Sequence, residues 1–309
     1  MLIRRPAHAK LNLALAVGPP IPHGSANAGF HPVASWMVPF DLADEVEIER
    51  AKPGGVSSLE VTWTSGAPRP TPIDWTPEVD VCARAHRALE SAVGVALPAC
   101  VRVAKRIPVG GGLGGGSSDA AAVLSGLNDL FGLGLDEPTL TAIAETVGSD
   151  VPFFLSGRDG RPRGALIGGF GGRVERVSDI RLGLVLIVPP FGCSTPAVYR
   201  AFDSLPPPTD GFEARAAAVA ALARSSVTDP ERWFNNLAPA AIVVEPRLAG
   251  LIEAAERATG LRAHVTGSGS CFFIPCDPGD EPTLAARARR AYEGAADRPV
   301  VVAARTPGP

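Results

Sequence analysis

The N-terminal segment alternates between core-type and polar or small side chains with a period of two. The odd positions Ala9, Leu11, Leu13, Leu15 and Val17 alternate with Lys10, Asn12, Ala14 and Ala16. This period predicts a β-strand that carries Lys10 and Asn12 on the same face. The same two residues interrupt an apolar run that faintly imitates a secretory signal peptide, and no segment approaches the length of a membrane span.

Similar patterns predict further strands and helices along the chain. Strands are predicted at 44–50, 58–63, 100–107, 182–190 and 298–305, and a strand, glycine turn and strand at 263–275. Helices are predicted at 78–92, 117–130, 136–147, 212–224, 246–258 and 281–294. Because strands and helices mix without strict alternation, an α+β class is favoured over a doubly wound parallel sheet. A Pro/Gly/Arg stretch at 157–164 predicts a seam between two domains.

Composition narrows the class of protein. The 309 residues are enough for two domains, and the hydrophobic and charged fractions, 46% and 20%, are ordinary for a globular protein. A net charge of −3 without a long basic run argues against nucleic acid as a partner. The cysteines form no C-x-x-C pair, which predicts reduced thiols in a cytoplasmic protein rather than disulfides or a zinc site. They are Cys82, Cys100, Cys193, Cys271 and Cys276.

The stretch "PVGGGLGGGSSDAA" at 108–121 lies between a predicted strand and a predicted helix. The amides and dipole at a helix N-terminus favour a phosphate, and glycines let the backbone approach it closely. Ser117 and Ser118 are candidates either to cap the helix or to reach a phosphate or Mg²⁺. Gly116 stands where a P-loop has its lysine, so another residue must supply positive charge. A purely structural turn is the alternative.

Lys10 is the candidate for that charge, with a solvated lysine on an edge strand as the alternative. Asp150, in "GSDVPFF", is placed near apolar surface, where an unpaired carboxylate is costly. A structural cap is the alternative for Asp150. A Lys10–Asp150 pair would offset the desolvation of both groups and would suit phosphoryl transfer to a hydroxyl.

Three segments, "AHAKLNLALAV", "PVGGGLGGGSSDAAAVL" and "HVTGSGSCFF", resemble in order the three motifs of the GHMP kinase family. The resemblance implies a two-domain α+β fold. An N-terminal ATP-binding domain at 1–162 would be like domain 2 of ribosomal protein S5, and a C-terminal domain at 163–309 would be ferredoxin-like. The active site is expected in the cleft between them.

The same resemblance, with "GFH" at 29–31, implies ATP- and Mg²⁺-dependent phosphorylation of the methylerythritol unit of a cytidyl-diphospho sugar alcohol, in the non-mevalonate isoprenoid pathway. It makes Asp150 the catalytic base and Lys10 its ionic partner. The ATP-binding residues would be Lys105 near the adenine, Pro108, Gly110, Gly111, Gly112, Gly114, Gly115, Gly116, Ser117 and Ser118. The substrate residues would be Asn12, Phe30, His31, Asp150, Thr195 and Tyr199, with Phe30 and Tyr199 on the two sides of the cytosine.

The chain also departs from the family pattern. Ala28 and Phe30 replace an acid and a tyrosine, Asp80 stands where an Asn is usual, Gly172 stands where a Glu is common, and 204–232 is expanded. Homoserine or mevalonate kinase activity is one alternative, and a catalytically silent nucleotide-binding relative is another. A monomer or weak homodimer that contacts neither membrane nor nucleic acid is expected.

Overall fold

The structure is a computed structural model that describes residues 1–25, 27–155, 161–225 and 228–307. Its strands are β1 Leu2–Val17, β2 Val33–Arg50, β3 Ser58–Trp63, β4 Ala99–Lys105, β5 Ala165–Gly169, β6 Arg173–Arg176, β7 Gly183–Val188, β8 His264–Val265, β9 Phe272–Cys276 and β10 Val300–Arg305. Its α-helices are α1 Val81–Val93, α2 Gly115–Phe131, α3 Glu137–Val147, α4 Val151–Phe154, α5 Thr195–Ser204, α6 Gly211–Ser225, α7 Ala238–Val244, α8 Arg247–Thr259 and α9 Glu281–Ala291. None of the helices in these ranges is long and apolar enough to cross a membrane.

The periodicity located the longer helices well, and β3 matches its prediction to the residue, but only 44–50 of β2 and 9–17 of β1 were predicted. It missed β5, β6, α4, α5 and α7. Most of these are short, and a four-residue helix or strand has too few positions for its period to stand out. The predicted seam at 157–164 lies partly at 156–160, outside the described residues.

Contacts divide the chain into two compact units. The first comprises Met1–Ala9, Leu42–Pro108 and Gly114–Arg163, and the second comprises Lys10–Asp41, Val109–Leu113 and Gly164–Pro309. Strands β1 and β2 each contribute residues to both units. The sequence-based division at 162 stays a prediction for the two family domains. The contact-based units differ from it in grouping 10–41 and 109–113 with the C-terminal residues.

In the first unit, β4 pairs in parallel with β3 and antiparallel with residues 45–50 of β2. Helix α1 packs against α2 and α3, and α2 packs against α4. The inward positions are apolar and buried, among them Ile48, Leu89, Val103 and Leu124. This packing fixes the N-terminal end of α2, where the glycine-rich stretch enters the helix.

In the second unit, four antiparallel strands form a sheet in the order β10-β7-β9-β8. Strand β7 is buried at every residue, as the continuous apolar run at 182–190 predicts. With α8 before β8 and α9 before β10, the chain order around this sheet is that of a ferredoxin-like fold. The predicted ferredoxin-like C-terminal fold is therefore confirmed. Residues 33–37 of β2 pair with β5 in the same unit.

Candidate active site

Lys10 lies on β1 in the second unit, and only 3% of its surface is exposed. Its Nζ donates to Asn12 Oδ1 at 2.6 Å, and its backbone N–H donates to Leu113 O at 2.9 Å. The alternative of a solvated edge lysine is therefore wrong. A buried ammonium is costly unless the protein orients polar atoms toward it, so this position is specialised.

The side chain of Asn12 is itself held on several sides. Its Nδ2 donates to Ser35 Oγ at 2.8 Å, and Ser35 Oγ donates to Ala14 O at 3.0 Å. Thr266 Oγ1 accepts from Asn12 N at 3.0 Å and donates to Asn12 Oδ1 at 3.3 Å. Because the amide nitrogen is directed to Ser35, the amide oxygen must face Lys10. Within this unit Asn12 therefore orients the lysine.

Two glycine-rich segments meet beside this network in the second unit. The first is 109–113, and the second is 266–270, which we term the glycine turn. Gly112 has a φ of +76°, and a Cβ there would lie 2.3 Å from Thr266 O. No side chain fits at that distance, and the left-handed backbone conformation is one that glycine adopts readily. The glycine at 112 is thus required by the close approach of the two segments.

In the first unit, α2 begins after Gly114, which has a φ of 72° and no side chain to cap the helix. Ser117 and Ser118 lie inside the helix, so the interpretation of these serines as its caps is wrong. A Cβ on Gly115 would lie 2.8 Å from Ile107 Cγ2, so the loop is packed tightly onto the preceding segment. The first-turn amides and the helix dipole therefore remain suited to an anion. Phosphate binding at this N-terminus stays a prediction.

Lys105 ends β4 in the first unit, and only 3% of its surface is exposed. Its Nζ donates to Asp44 Oδ2 and, at 2.6 Å, to Asp119 Oδ2. Burial lowers the pKa of Lys105, but the two carboxylates outweigh burial and raise the pKa above its ordinary value. Asp44 Oδ1 also accepts from Ile107 N at 2.7 Å, which ties the cluster to the start of the glycine stretch. The proposed place of Lys105 beside the adenine stays a prediction.

Asp119 is an acid of this cluster with a raised pKa. Burial raises its pKa to about 8, and the neighbouring Asp44 charge adds to the rise, although Lys105 opposes it. Its Oδ1 has no hydrogen-bond partner among the described residues. One lysine thus faces two buried carboxylates, and the cluster retains a proton more readily than a simple ion pair would.

Asp150 immediately precedes α4 in the first unit, and its side chain makes no capping hydrogen bond to that helix. The alternative of a structural cap is therefore wrong. The four residues of α4 are buried, and the helix packs against α2. This packing fixes the backbone from which the carboxylate projects. The predicted pair with Lys10 stays a prediction.

The predicted cytosine residues lie in the second unit. His31 Nδ1 lies 2.8 Å from Gly18 O, and because a carbonyl can only accept, Nδ1 carries the proton. Its Nε2 is 3.5 Å from Asp203 Oδ1, and its ring centroid is 4.9 Å from that of Tyr199 with a tilt of 46°. Phe30 is 64% exposed. His31 and Tyr199 are thus brought together, while the adjacent Phe30 is largely exposed.

Within each unit, sequence reasoning missed several residues that contact the predicted site residues. Thr195 was predicted, but its partner was not: Thr195 Oγ1 and Ser268 Oγ are 2.8 Å apart. Ser35, Thr266 and the acids Asp44 and Asp119 were not singled out. The glycine-serine pattern of 266–270 was a usable signal for Thr266 and Ser268. A single serine within an apolar strand gives no comparable signal.

Two family models match this chain. The GHMP kinase N-terminal domain matches residues 80–158, and the GHMP kinase C-terminal model matches residues 218–294. The first match contains α2 with its glycine entry and Asp150, and the second contains the glycine turn. The chain belongs to the GHMP kinase family.

Within that family, similar relatives are named 4-diphosphocytidyl-2-C-methyl-D-erythritol kinase. One from Pelotomaculum thermopropionicum is 37% identical over 297 residues, 95% of this chain and 96% of its own length. One from a Nocardioides species is 37% identical over 97% of this chain and 96% of its own length. A solved structure of 4-(cytidine 5'-diphospho)-2C-methyl-D-erythritol kinase superimposes with a TM-score of 0.70 at 31% identity, covering 99% of this chain and 100% of its own.

Proposed function

We propose that this chain transfers the γ-phosphoryl group of ATP to the 2-hydroxyl of 4-diphosphocytidyl-2-C-methyl-D-erythritol. The products are the 2-phosphate and ADP, and the step belongs to the non-mevalonate isoprenoid pathway. The observation that carries the proposal is the identity of 37% along nearly the whole chain to kinases of this name. The buried Lys10 network beside two glycine segments gives that similarity a chemical basis.

The proposed reaction uses Asp150 as the base. The substrate hydroxyl oxygen forms a bond to the γ-phosphorus, the bond from that phosphorus to the β–γ bridging oxygen breaks, and ADP leaves. The hydroxyl proton passes to the Asp150 carboxylate. The Lys10 ammonium stabilises the negative charge at the reacting centre. Asn12 serves the substrate through Lys10, because both ends of its amide are engaged by protein groups.

Phosphate binding is proposed along the glycine stretch. Gly110, Gly111 and Gly112 supply close backbone approach, and Gly114, Gly115, Gly116, Ser117 and Ser118 form the entry of α2. Pro108 stiffens the approach to this stretch. These groups are backbone amides and hydroxyls, which suit the oxygens of a triphosphate.

Mg²⁺ is proposed to arrive with ATP. Among the described residues, no group of three or more His, Cys, Asp or Glu side chains is arranged to hold a metal ion. Mg²⁺ bound through substrate phosphates needs only one or two protein oxygens, and it keeps several waters. The Ser117 hydroxyl in the first turn of α2 is such an oxygen, and it fits Mg²⁺–ATP bound mainly through its phosphates. The ion would supply charge neutralisation on the phosphates.

Recognition of the cytosine is proposed for the His31 region. Phe30 and Tyr199 would stack on the two faces of the base, and His31 would hydrogen-bond to the edge of the base. Thr195, bound to Ser268, holds the start of α5, the helix that carries Tyr199. Homoserine and mevalonate have no base to occupy such a site, which disfavours those activities.

The proposed setting is the cytoplasm. The five cysteines are thiols rather than disulfides, and Cys82, Cys193 and Cys271 are buried, which supports a reducing compartment. Action as a monomer or weak homodimer stays a prediction.

The function is tested by measuring ADP release with the cytidyl alcohol, homoserine and mevalonate in parallel. The kcat/KM for the cytidyl alcohol is expected to be at least about a hundredfold above the values for homoserine and mevalonate. A site built to hydrogen-bond a base discriminates strongly against substrates that lack one. Equal turnover with homoserine or mevalonate would overturn the substrate assignment. No turnover with any of the three would favour the catalytically silent alternative.

A further inference from the structure

We propose that Asn235 is a positioning residue that fixes the glycine turn behind Lys10. Asn235 lies in the second unit, between the short 3₁₀ helix Pro230–Arg232 and α7. Its Nδ2 donates to Val265 O and to Gly267 O, both at 2.8 Å. One side chain thus holds two carbonyls that flank the first residue of the turn, and the role rests on the proposed kinase function.

The glycine turn lies between Asn235 and the Lys10–Asn12 pair. Gly267 has a φ of +57°, and a Cβ added to it would lie 3.4 Å from Lys10 Nζ and 3.4 Å from Asn12 Oδ1. Gly267 therefore has Asn235 on its carbonyl and the Lys10–Asn12 pair against its Cα. A shift of the turn would press on that pair or leave space beside it.

The oxygen of the Asn235 side-chain amide binds the backbone that leads into α7. Its Oδ1 accepts from Leu237 N at 2.8 Å, immediately before α7. Its backbone forms an isolated bridge with Leu15, and the neighbouring Phe234 O accepts from Leu15 N at 2.8 Å. Leu15 belongs to the same strand as Lys10. Asn235 therefore sets the spacing between β1, which carries the lysine, and the glycine turn beside it.

The adjacent Asn236 provides a matched control. Its Oδ1 accepts from Val17 N at 3.1 Å, so it also fastens this segment to β1. The described contacts of its side chain do not include the glycine turn. Asn236→Asp keeps the oxygen that accepts from Val17 and adds a negative charge one position from Asn235. Asn235→Asp keeps the oxygen that accepts from Leu237 and loses both donors to the turn.

The experiment compares Asn235→Asp with Asn236→Asp and wild type, using thermal unfolding to select a temperature at which all three are folded. For Asn235→Asp we expect kcat for the cytidyl alcohol to fall about 10- to 100-fold, because small displacements of reacting groups have effects of this size. The KM values for ATP and for the alcohol should change less than about threefold. Asn236→Asp should keep kcat within about twofold of wild type.

A second measurement does not depend on turnover. The lysines of the chain are Lys10, Lys52 and Lys105. The reaction of each with an amine-reactive acylating reagent can therefore be followed by mass spectrometry. Asn235→Asp is expected to raise the acylation rate of Lys10 at least about threefold, with Lys105 unchanged as an internal control. Unchanged Lys10 acylation in a folded Asn235→Asp protein, or equal losses of kcat in the two aspartate variants, would overturn the proposal. Failure of wild type to turn over the alcohol would instead reject the proposed function, and the Lys10 rates would still decide the role of Asn235.

Discussion

Two lysines of this chain are buried to the same degree, each 3% exposed, and they are held by different chemistry. Lys105, in the first unit, lies between the carboxylates of Asp44 and Asp119. Lys10, in the second unit, donates to the neutral amide oxygen of Asn12, which Ser35 and Thr266 hold in place. A carboxylate neutralises an ammonium, whereas an amide oxygen orients one.

This difference predicts different effects when each lysine is replaced. Removing one partner of a buried ion cluster leaves a charge without compensation, so Lys105 should be important for stability. Lys10 is held beside two glycine-rich segments, where backbone can approach an anionic group closely. Burial alone therefore does not distinguish the two residues, while the surroundings do: two acids hold Lys105, and an oriented amide beside glycine-rich segments holds Lys10.

The largest expected effect is on the activity of a Lys10 variant. Lys10→Met is expected to lower kcat about 10²- to 10³-fold, because it removes a preorganised positive group from the proposed site of phosphoryl transfer. Steady-state kinetics with the cytidyl alcohol and circular dichroism check this. The comparison fails if Lys10→Met retains wild-type kcat, or if its loss of rate follows a loss of folded protein.

Lys105→Met should show its effect on stability. The substitution leaves Asp44 and Asp119 buried together without their cation, and the free energy of unfolding is expected to fall by about 3–5 kcal/mol. Denaturant unfolding of Lys105→Met and Lys10→Met, side by side, measures the difference. Unfolding midpoints that drop equally in the two variants would contradict the assignment of different roles.

A smaller, pH-dependent effect is expected at Asp119. Its pKa is raised to about 8 in the folded protein, mainly by burial, so the folded state holds a proton that the unfolded chain releases near pH 4. The contribution to stability is thus present at low pH and is lost as pH rises toward and through 8, by at most about 1.4 kcal/mol per pH unit.

Asp119→Asn removes this titration and keeps an oxygen for Lys105. The melting temperature of Asp119→Asn minus that of wild type should therefore increase as the pH is raised from 6 to 8.5. A difference that is constant over this range would show that Asp119 does not titrate there.

The sequence predicted much of the fold because its signals are local. Alternation along β1 and β3, the apolar run of β7 and the helical stripe of α2 each lie within one element. The elements that it missed, such as β6 and α7, are too short for a period to stand out. Lys10 was a candidate from the face that it shares with Asn12, but the sequence left open whether that face was solvated. Burial of both residues depends on strands and turns distant in the chain.

The sequence by itself determined the glycine-rich entry to α2, the α+β mixture of strands and helices, and the set of residues that resembles a GHMP kinase. These properties follow from residue type and spacing along the chain. Only the tertiary structure decided that Asn12 orients Lys10, that Lys105 is neutralised by two acids, and that Asn235 holds the glycine turn. Each of these depends on the direction of hydrogen bonds between residues that lie from 2 to 254 positions apart in the sequence. Such directions are set by packing and are not encoded in any local pattern.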